Sequence, residues 1–139
     1  MTTEPRYLTA LRVVMLPRDT NQYGTIFGGV ILSYIDQAGF IEARRHGRHR
    51  WVTASIERVD FHAPVLTGDI VSFLSCTEST GRTSVRVRIR VEVDREATGR
   101  GTLVTEATLT MVAIDAAGKP IPFTTPPTVG PEPGEPPVS

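Results

Sequence analysis

Apolar and polar residues recur along this chain with two periods, and the switches between them mark its elements. In Thr83–Val93, Val85, Val87, Ile89, Val91 and Val93 alternate with Arg86, Arg88, Arg90 and Glu92. Period two with one dry and one wet face is the signature of a strand covered on one side. Trp51–Phe61, Asp69–Ser79 and Leu103–Asp115 read as strands too, divided by hairpin residues at Thr67–Asp69, Thr80–Thr83 and Ala97–Gly101. Tyr7–Met15 predicts an earlier strand with Tyr7, Leu11, Val13 and Met15 on one face, closed by Pro17.

Between the first two strands the period changes. From Gly29 to His46, Val30, Ile31, Leu32, Tyr34, Ile35, Ala38, Phe40, Ile41 and Ala43 cover nearly the whole circumference of a helix roughly 27 Å long. A helix apolar all round is expected to be buried on several sides. Gly47 stands where a C-cap glycine belongs. The order β-α-β-β-β-β predicts an α+β domain, one antiparallel sheet with one long helix packed on a face. The last twenty residues hold eight of the eleven prolines and no large aromatic or leucine after Phe123. They cannot bury enough surface to offset their ordering entropy. The expectation is one domain over residues 1–123 and a disordered, non-catalytic tail over 124–139.

Charge and cysteine content narrow the function. Lys+Arg and Asp+Glu both number 15, so no net field draws the chain to nucleic acid or an anionic membrane. The single cysteine, Cys76, forms no internal disulfide and suits a reducing cytoplasm. The longest apolar window, Ile26–Ala43, is broken by Asp36, Gln37 and Glu42, so it predicts no membrane span. The polar N-terminus, MTTEPRY, does not read as a secretory signal.

Within Pro17–Gly39, PRDTNQYGTIFGGVILSYIDQAG, the chemistry concentrates. Gly28 and Gly29 open the helix, where free N–H groups and the positive dipole end suit developing negative charge. Asp36 lies about two turns in, with Leu32, Ser33, Gly39 and Phe40 as its helical neighbours and no counter-charge among them. A carboxylate so placed is hydrogen-bonded for structure, lies at a solvated edge, or is used as a nucleophile or general base. Eight residues along a helix span ~12 Å, so one substrate carbonyl cannot touch both groups of the same helix. Joint action requires two copies of the chain, as in a dimer with helices side by side.

The remaining candidates each carry two readings. The Asn21 amide is a turn residue or an oxyanion donor. The cluster Arg44, Arg45, His46, Arg48, His49 and Arg50 complements a helix C-terminus, or one or two of its members clamp a phosphate. Gly81, Arg82, Thr83 and Ser84 form a hairpin turn that can also contact phosphates or a pantetheine chain. Arg86, Arg88 and Arg90 belong to an exposed or subunit-facing sheet face. His62 is a catalytic base or a packing residue. No metal site is expected, since no histidine pair has ligand spacing, and no GxSxG elbow is present.

These segments, with DTNQYGTIFGG at 19–29, SYIDQAG at 33–39, WVTASIERVDFHAPVLTGD at 51–69 and GRTSVRVRIRV at 81–91, resemble the hotdog-fold acyl-CoA thioesterases of the YciA and brain acyl-CoA hydrolase type. The resemblance spans roughly Leu8–Pro122. It implies a curved antiparallel sheet wrapped around a central helix, side-by-side dimers as the catalytic unit, and their assembly as a homohexamer, a trimer of dimers. It implies that Asp36 is catalytic, that Asn21 completes the site from the neighbouring subunit, and that no cofactor is needed beyond the coenzyme A carried by the substrate. It further implies that Arg58, His62 and the Gly81–Ser84 turn contact coenzyme A.

The activity expected is hydrolysis of acyl-CoA to the free acid and coenzyme A. The alternative is a non-catalytic acyl-CoA sensor on the same fold. A hotdog dehydratase ranks last, because no histidine lies within Asn21–Gly39. Acyl-length preference is expected to depend on Ile26, Phe27, Ile31 and Ile35 closing a tunnel.

Overall fold

The computed structural model of the chain describes residues 5–95 and 101–130. Strand β1 (Leu8–Val14) leads through a short 3-10 turn (Pro17–Asp19) to helix α1 (Gly28–Arg44). Strands β2 (Arg50–Phe61), β3 (Ile70–Thr80), β4 (Ser84–Asp94) and β5 (Thr102–Ile114) follow. They form one antiparallel sheet in the order β1-β3-β4-β5-β2, and α1 touches all five strands. The core lies between the helix and the valine face of β4, with Phe73, Leu109 and Met111 beside it. Expected and observed element ends agree to within one or two residues, and the α+β, helix-on-sheet class is the one seen.

Gly39 lets the helix sit low on the sheet. A Cβ there would lie 3.0 Å from the Leu109 Cδ2 atom and 3.6 Å from the Met111 sulfur. The buried helical residues are Ile31, Ile35, Ala38, Gly39, Glu42 and Ala43. Their spacing is a single stripe, so within one chain the helix is buried on one side, not on several. Phe40 stays 38% exposed. Glu42 on that stripe accepts hydrogen bonds from the Ser75 hydroxyl (2.7 Å) and the Thr77 hydroxyl (2.8 Å), which satisfies its burial.

Three further expectations change. A register shift between Thr9 and Leu11 inserts a bulge in β1, which flips the residues before it to the other face. Leu11, Val13 and Met15 pack toward the core, whereas Tyr7 lies under the Arg90 guanidinium, 5.5 Å from its ring centre, on the outer sheet face. Gly47 is not a left-handed C-cap: the cap residue is Arg45, in the right-handed region. Gly47 is small because a Cβ would come within 3.0 Å of the Phe123 carbonyl oxygen.

The domain also extends past residue 123. The Thr128 and Val129 N–H groups donate to the Arg48 carbonyl. His49, 4% exposed, meets the Phe123 carbonyl at 2.8 Å and the Thr128 hydroxyl at 3.0 Å. The segment expected to start a free tail at 124 therefore begins as a pinned strap; the rest of that expectation, 131–139, lies outside the described residues.

Candidate active site

The loop Thr20–Phe27 is built by Asn21. Its side-chain oxygen accepts from the Tyr23 and Thr25 N–H groups, and its amide nitrogen donates to the Thr25 hydroxyl at 2.8 Å. Within one chain Asn21 is thus the organiser of the turn that delivers the helix, with one amide N–H left over. Helix α1 then opens at Gly28 with Phe27 as N-cap and no side-chain cap. Among the described residues, neither the Gly28 nor the Gly29 N–H has an acceptor; the first N–H groups that bond back are those of Val30 and Ile31, to Phe27. A Cβ at Gly29 would meet nothing within 4 Å, and one at Gly28 only the Phe61 ring at 3.5 Å. Among the described residues, no close packing requires glycine at either position. The tip faces a groove of about 310 Å³ lined by Thr25, Ile26, Gly28, Ile31, Phe61 and His62, among others.

Asp36 occupies a different groove, of about 630 Å³, lined by Asp36, Gln37, Phe40, Ile41, Trp51, Val52, Thr53 and Met111. The carboxylate is exposed, and its Oδ1 accepts a short hydrogen bond from the Thr53 hydroxyl. Thr53 sits on edge strand β2 beside a register shift between Thr53 and Ser55, the kind of local bend that re-aims a side chain. Sequence reading missed Thr53. One hydroxyl in a strand carries no local signal, and its partner lies 17 positions away.

The donor tip and the carboxylate are therefore separated within one protomer, each facing its own groove. Edge strand β2 lies open beside the second, with Val52, Ile56 and Phe61 exposed.

The other candidates divide. His62 lines the groove at the helix tip and meets Glu106 at 3.2 Å. Glu106 in turn lines a third groove, of about 220 Å³ on the outer sheet face, with Arg58, Arg88 and Arg90. Arg58 holds φ +51° at the second β2 register shift, between Glu57 and Asp60. Arg86 bridges Glu57 and Glu78, and Arg88 also pairs with Glu78. Together they tie β2, β4 and β3 across the outer face. Gly81, Arg82, Thr83 and Ser84 form the β3–β4 turn, closed by Gly81 N–H to the Ser84 carbonyl at 2.8 Å; they line none of these three grooves.

In the basic cluster, Arg45 pairs with Glu42, His46 with Thr77, and His49 holds the strap. Three of its six members thus have structural tasks. Of the residues expected to close an acyl tunnel, Phe27 is exposed. Ile35 is fully buried in the core, and Ile26 and Ile31, nearly so, line the helix-tip groove and not the one beside Asp36. Burial pushes the Cys76 thiol up, outweighing the Tyr7 contact, which leaves it a poor nucleophile. Among the described residues no three His, Cys, Asp or Glu side chains group as metal ligands, and no helix is long and apolar enough to cross a membrane.

One long helix packed on a curved five-stranded antiparallel sheet is the architecture on which comparisons with known proteins converge. Residues 23–100 match the thioesterase superfamily, and the chain belongs to that family, in its hotdog-fold, YciA-type branch. It is 39% identical over 135 residues to the uncharacterized acyl-CoA thioester hydrolase YkhA of Bacillus subtilis, covering 94% of this chain and 77% of that protein. It is 39% identical over 113 residues to the acyl-CoA thioester hydrolase YciA of Escherichia coli, covering 79% of this chain and 86% of that one. Among solved structures it superposes on the hexameric thioesterase y2039 of Yersinia pestis with a TM-score of 0.81 and 35% identity, covering 88% of this chain and 100% of that one.

Proposed function

We propose that this protein hydrolyses acyl-CoA thioesters to the free acid and coenzyme A, at a site completed by two copies of the chain. The observation that carries this reading is the division of labour along α1. Free N–H donors stand at Gly28 and Gly29, and a Thr53-held carboxylate stands at Asp36, ~12 Å further along the same helix. A two-fold axis between antiparallel α1 helices would bring one copy's tip to the other's carboxylate, once at each end.

In that arrangement the thioester carbonyl oxygen lies against the tip, where the N–H groups and the dipole stabilise the oxyanion. Asp36 of the second copy either takes a proton from a water that adds to the carbonyl carbon, or attacks that carbon itself to give a mixed anhydride that water then cleaves to the free acid and the regenerated carboxylate. In both routes the C–S bond breaks and coenzyme A leaves as the thiolate. Thr53 positions that carboxylate, and the spare Asn21 amide N–H adds a donor beside the tip. Arg58 and His62 are assigned to the coenzyme A moiety, with His62 and Glu106 linking the tip groove to the arginine groove. The Gly81–Ser84 turn keeps a coenzyme A assignment only if a neighbouring subunit brings substrate to it.

A homohexamer, as a trimer of dimers, fits the exposed β2 edge and the hexameric relatives. A cytoplasmic setting fits the single buried thiol. No cofactor is required by this chemistry.

The test is thiol release from acyl-CoAs, read with a thiol-reactive dye. The wild type should release coenzyme A, and Asp36→Asn should lose nearly all turnover while keeping its oligomer. Turnover near wild type in that variant would overturn the mechanism. Binding of acyl-CoA without thiol release would favour a sensor.

A further inference from the structure

We infer that Trp51 and Phe40 form the far wall of the acyl pocket and limit the acyl length this enzyme accepts, with the strap 121–129 holding Trp51 in place. The inference rests on the acyl-CoA reading above.

The groove beside Asp36 has two walls that leave the carboxylate together. On the helix, Phe40 follows Asp36 by four residues, ~6 Å along the axis. On β2, Trp51 precedes Thr53 by two residues on the same face, ~6–7 Å away along the strand. Both walls thus run the same distance from the Asp36–Thr53 pair and end at an aromatic ring lining the same groove. Between them the lining is Ile41, Val52 and Met111, which suits a hydrocarbon chain and offers nothing to a charged one.

Trp51 is built as a fixed stop. Its indole N–H donates to the Gly47 carbonyl at 2.9 Å, and it is only 6% exposed. The Phe123 ring packs behind it at 5.9 Å between centres, and the His49 ring at 6.1 Å. His49 in turn grips the strap at Phe123 and Thr128. A side chain locked from three directions does not swing aside for a longer chain. Phe40, 38% exposed, lies outside the core cluster and turns its ring to this groove.

The experiment measures kcat/KM on acyl-CoAs from acetyl to palmitoyl for the wild type, Trp51→Leu, Phe40→Ala and Phe123→Ala, with thermal unfolding alongside. Enlarging the pocket should raise the palmitoyl-to-butyryl ratio by about tenfold or more in Trp51→Leu and Phe40→Ala, in line with the discrimination one methylene carries in an apolar pocket. Phe123→Ala should move the ratio the same way, because it frees the indole from behind without altering the lining. Phe40→Ala keeps the test decisive if Trp51→Leu fails to fold. An active enzyme whose length profile scales uniformly in the folded variants overturns the inference and leaves the hydrolase standing. A wild type that releases thiol from no acyl-CoA overturns both.

Discussion

At Thr53, one hydroxyl decides how the Asp36 carboxylate, proposed as catalytic, is presented. Asp36 is exposed and meets no cation among the described residues, so without Thr53 it would sample its rotamers freely in water. A hydrogen bond to a charged group contributes about 1.5–3 kcal/mol. Thr53→Val, which keeps the shape and deletes the donor, should therefore lower kcat by about 10- to 100-fold, while Thr53→Ser should restore most of it. Equal kcat in Thr53→Val and wild type, from steady-state assays, would remove Thr53 from the site. The helix tip yields an equally specific test. Gly28 is the first helical residue and follows Phe27 at φ −56°, ψ 134°, the extended conformation a residue before proline prefers. Proline is tolerated at that first position, so Gly28→Pro deletes one N–H without breaking the helix. Loss of an oxyanion donor costs about 10²–10³ in kcat; that loss is expected with an unchanged Tm.

The elements were largely legible because each is a long run with one period, as the valines of β4 and the stripe of α1 illustrate. What escaped depended on tertiary partners. The β1 bulge moved Tyr7 to the outer face, Gly47 made room for a carbonyl 76 positions later, and the strap was hidden by its prolines. The composition of 124–129 argued against order, yet two backbone N–H groups and one buried histidine suffice to dock it. The loop before β3 is tied down similarly. Asp69, 3% exposed, accepts from the Leu66 N–H at 2.8 Å and from Arg95 at 3.0 and 2.9 Å. Burial alone would raise its carboxyl, but Arg95 and the Leu66 N–H outweigh it and hold the group below its usual value of 3.8. A depressed folded-state value means this stabilisation is complete above about pH 4–5 and is lost as pH falls through the folded value. Asp69→Asn should therefore lower Tm at neutral pH and flatten its decline below about pH 4. Parallel acid limbs for variant and wild type would show that Asp69 has no part in the pH dependence.

For the whole molecule, one chain displays two separate grooves, one at the helix tip and one beside Asp36, and an open β2 edge. Of its exposed large apolar residues, Tyr23, Phe27, Phe40, Val52, Ile56 and Phe61 lie on α1, on β2 and in the loop feeding the helix, and Leu8 and Val14 lie on β1. The spacing of Gly28 and Asp36, too far apart on one helix to share a substrate carbonyl, was legible in the sequence, and the proposal of a two-copy site rests on it. The pairing of Asp36 with Thr53 needed the fold.

Complementation between two inactive chains tests the shared site most directly. One carries Asp36→Asn and the other a disabled helix tip, Gly28→Pro with Gly29→Ala. In a mixed dimer one site joins the intact tip of the first chain to the intact Asp36 of the second, and the other site carries both lesions. Equal mixing places half of all dimers in the mixed form with one good site of two, so co-refolded protein should recover about a quarter of wild-type thiol release. Recovery near that level is the predicted result; a mixture as inactive as its two components would contradict the two-chain site.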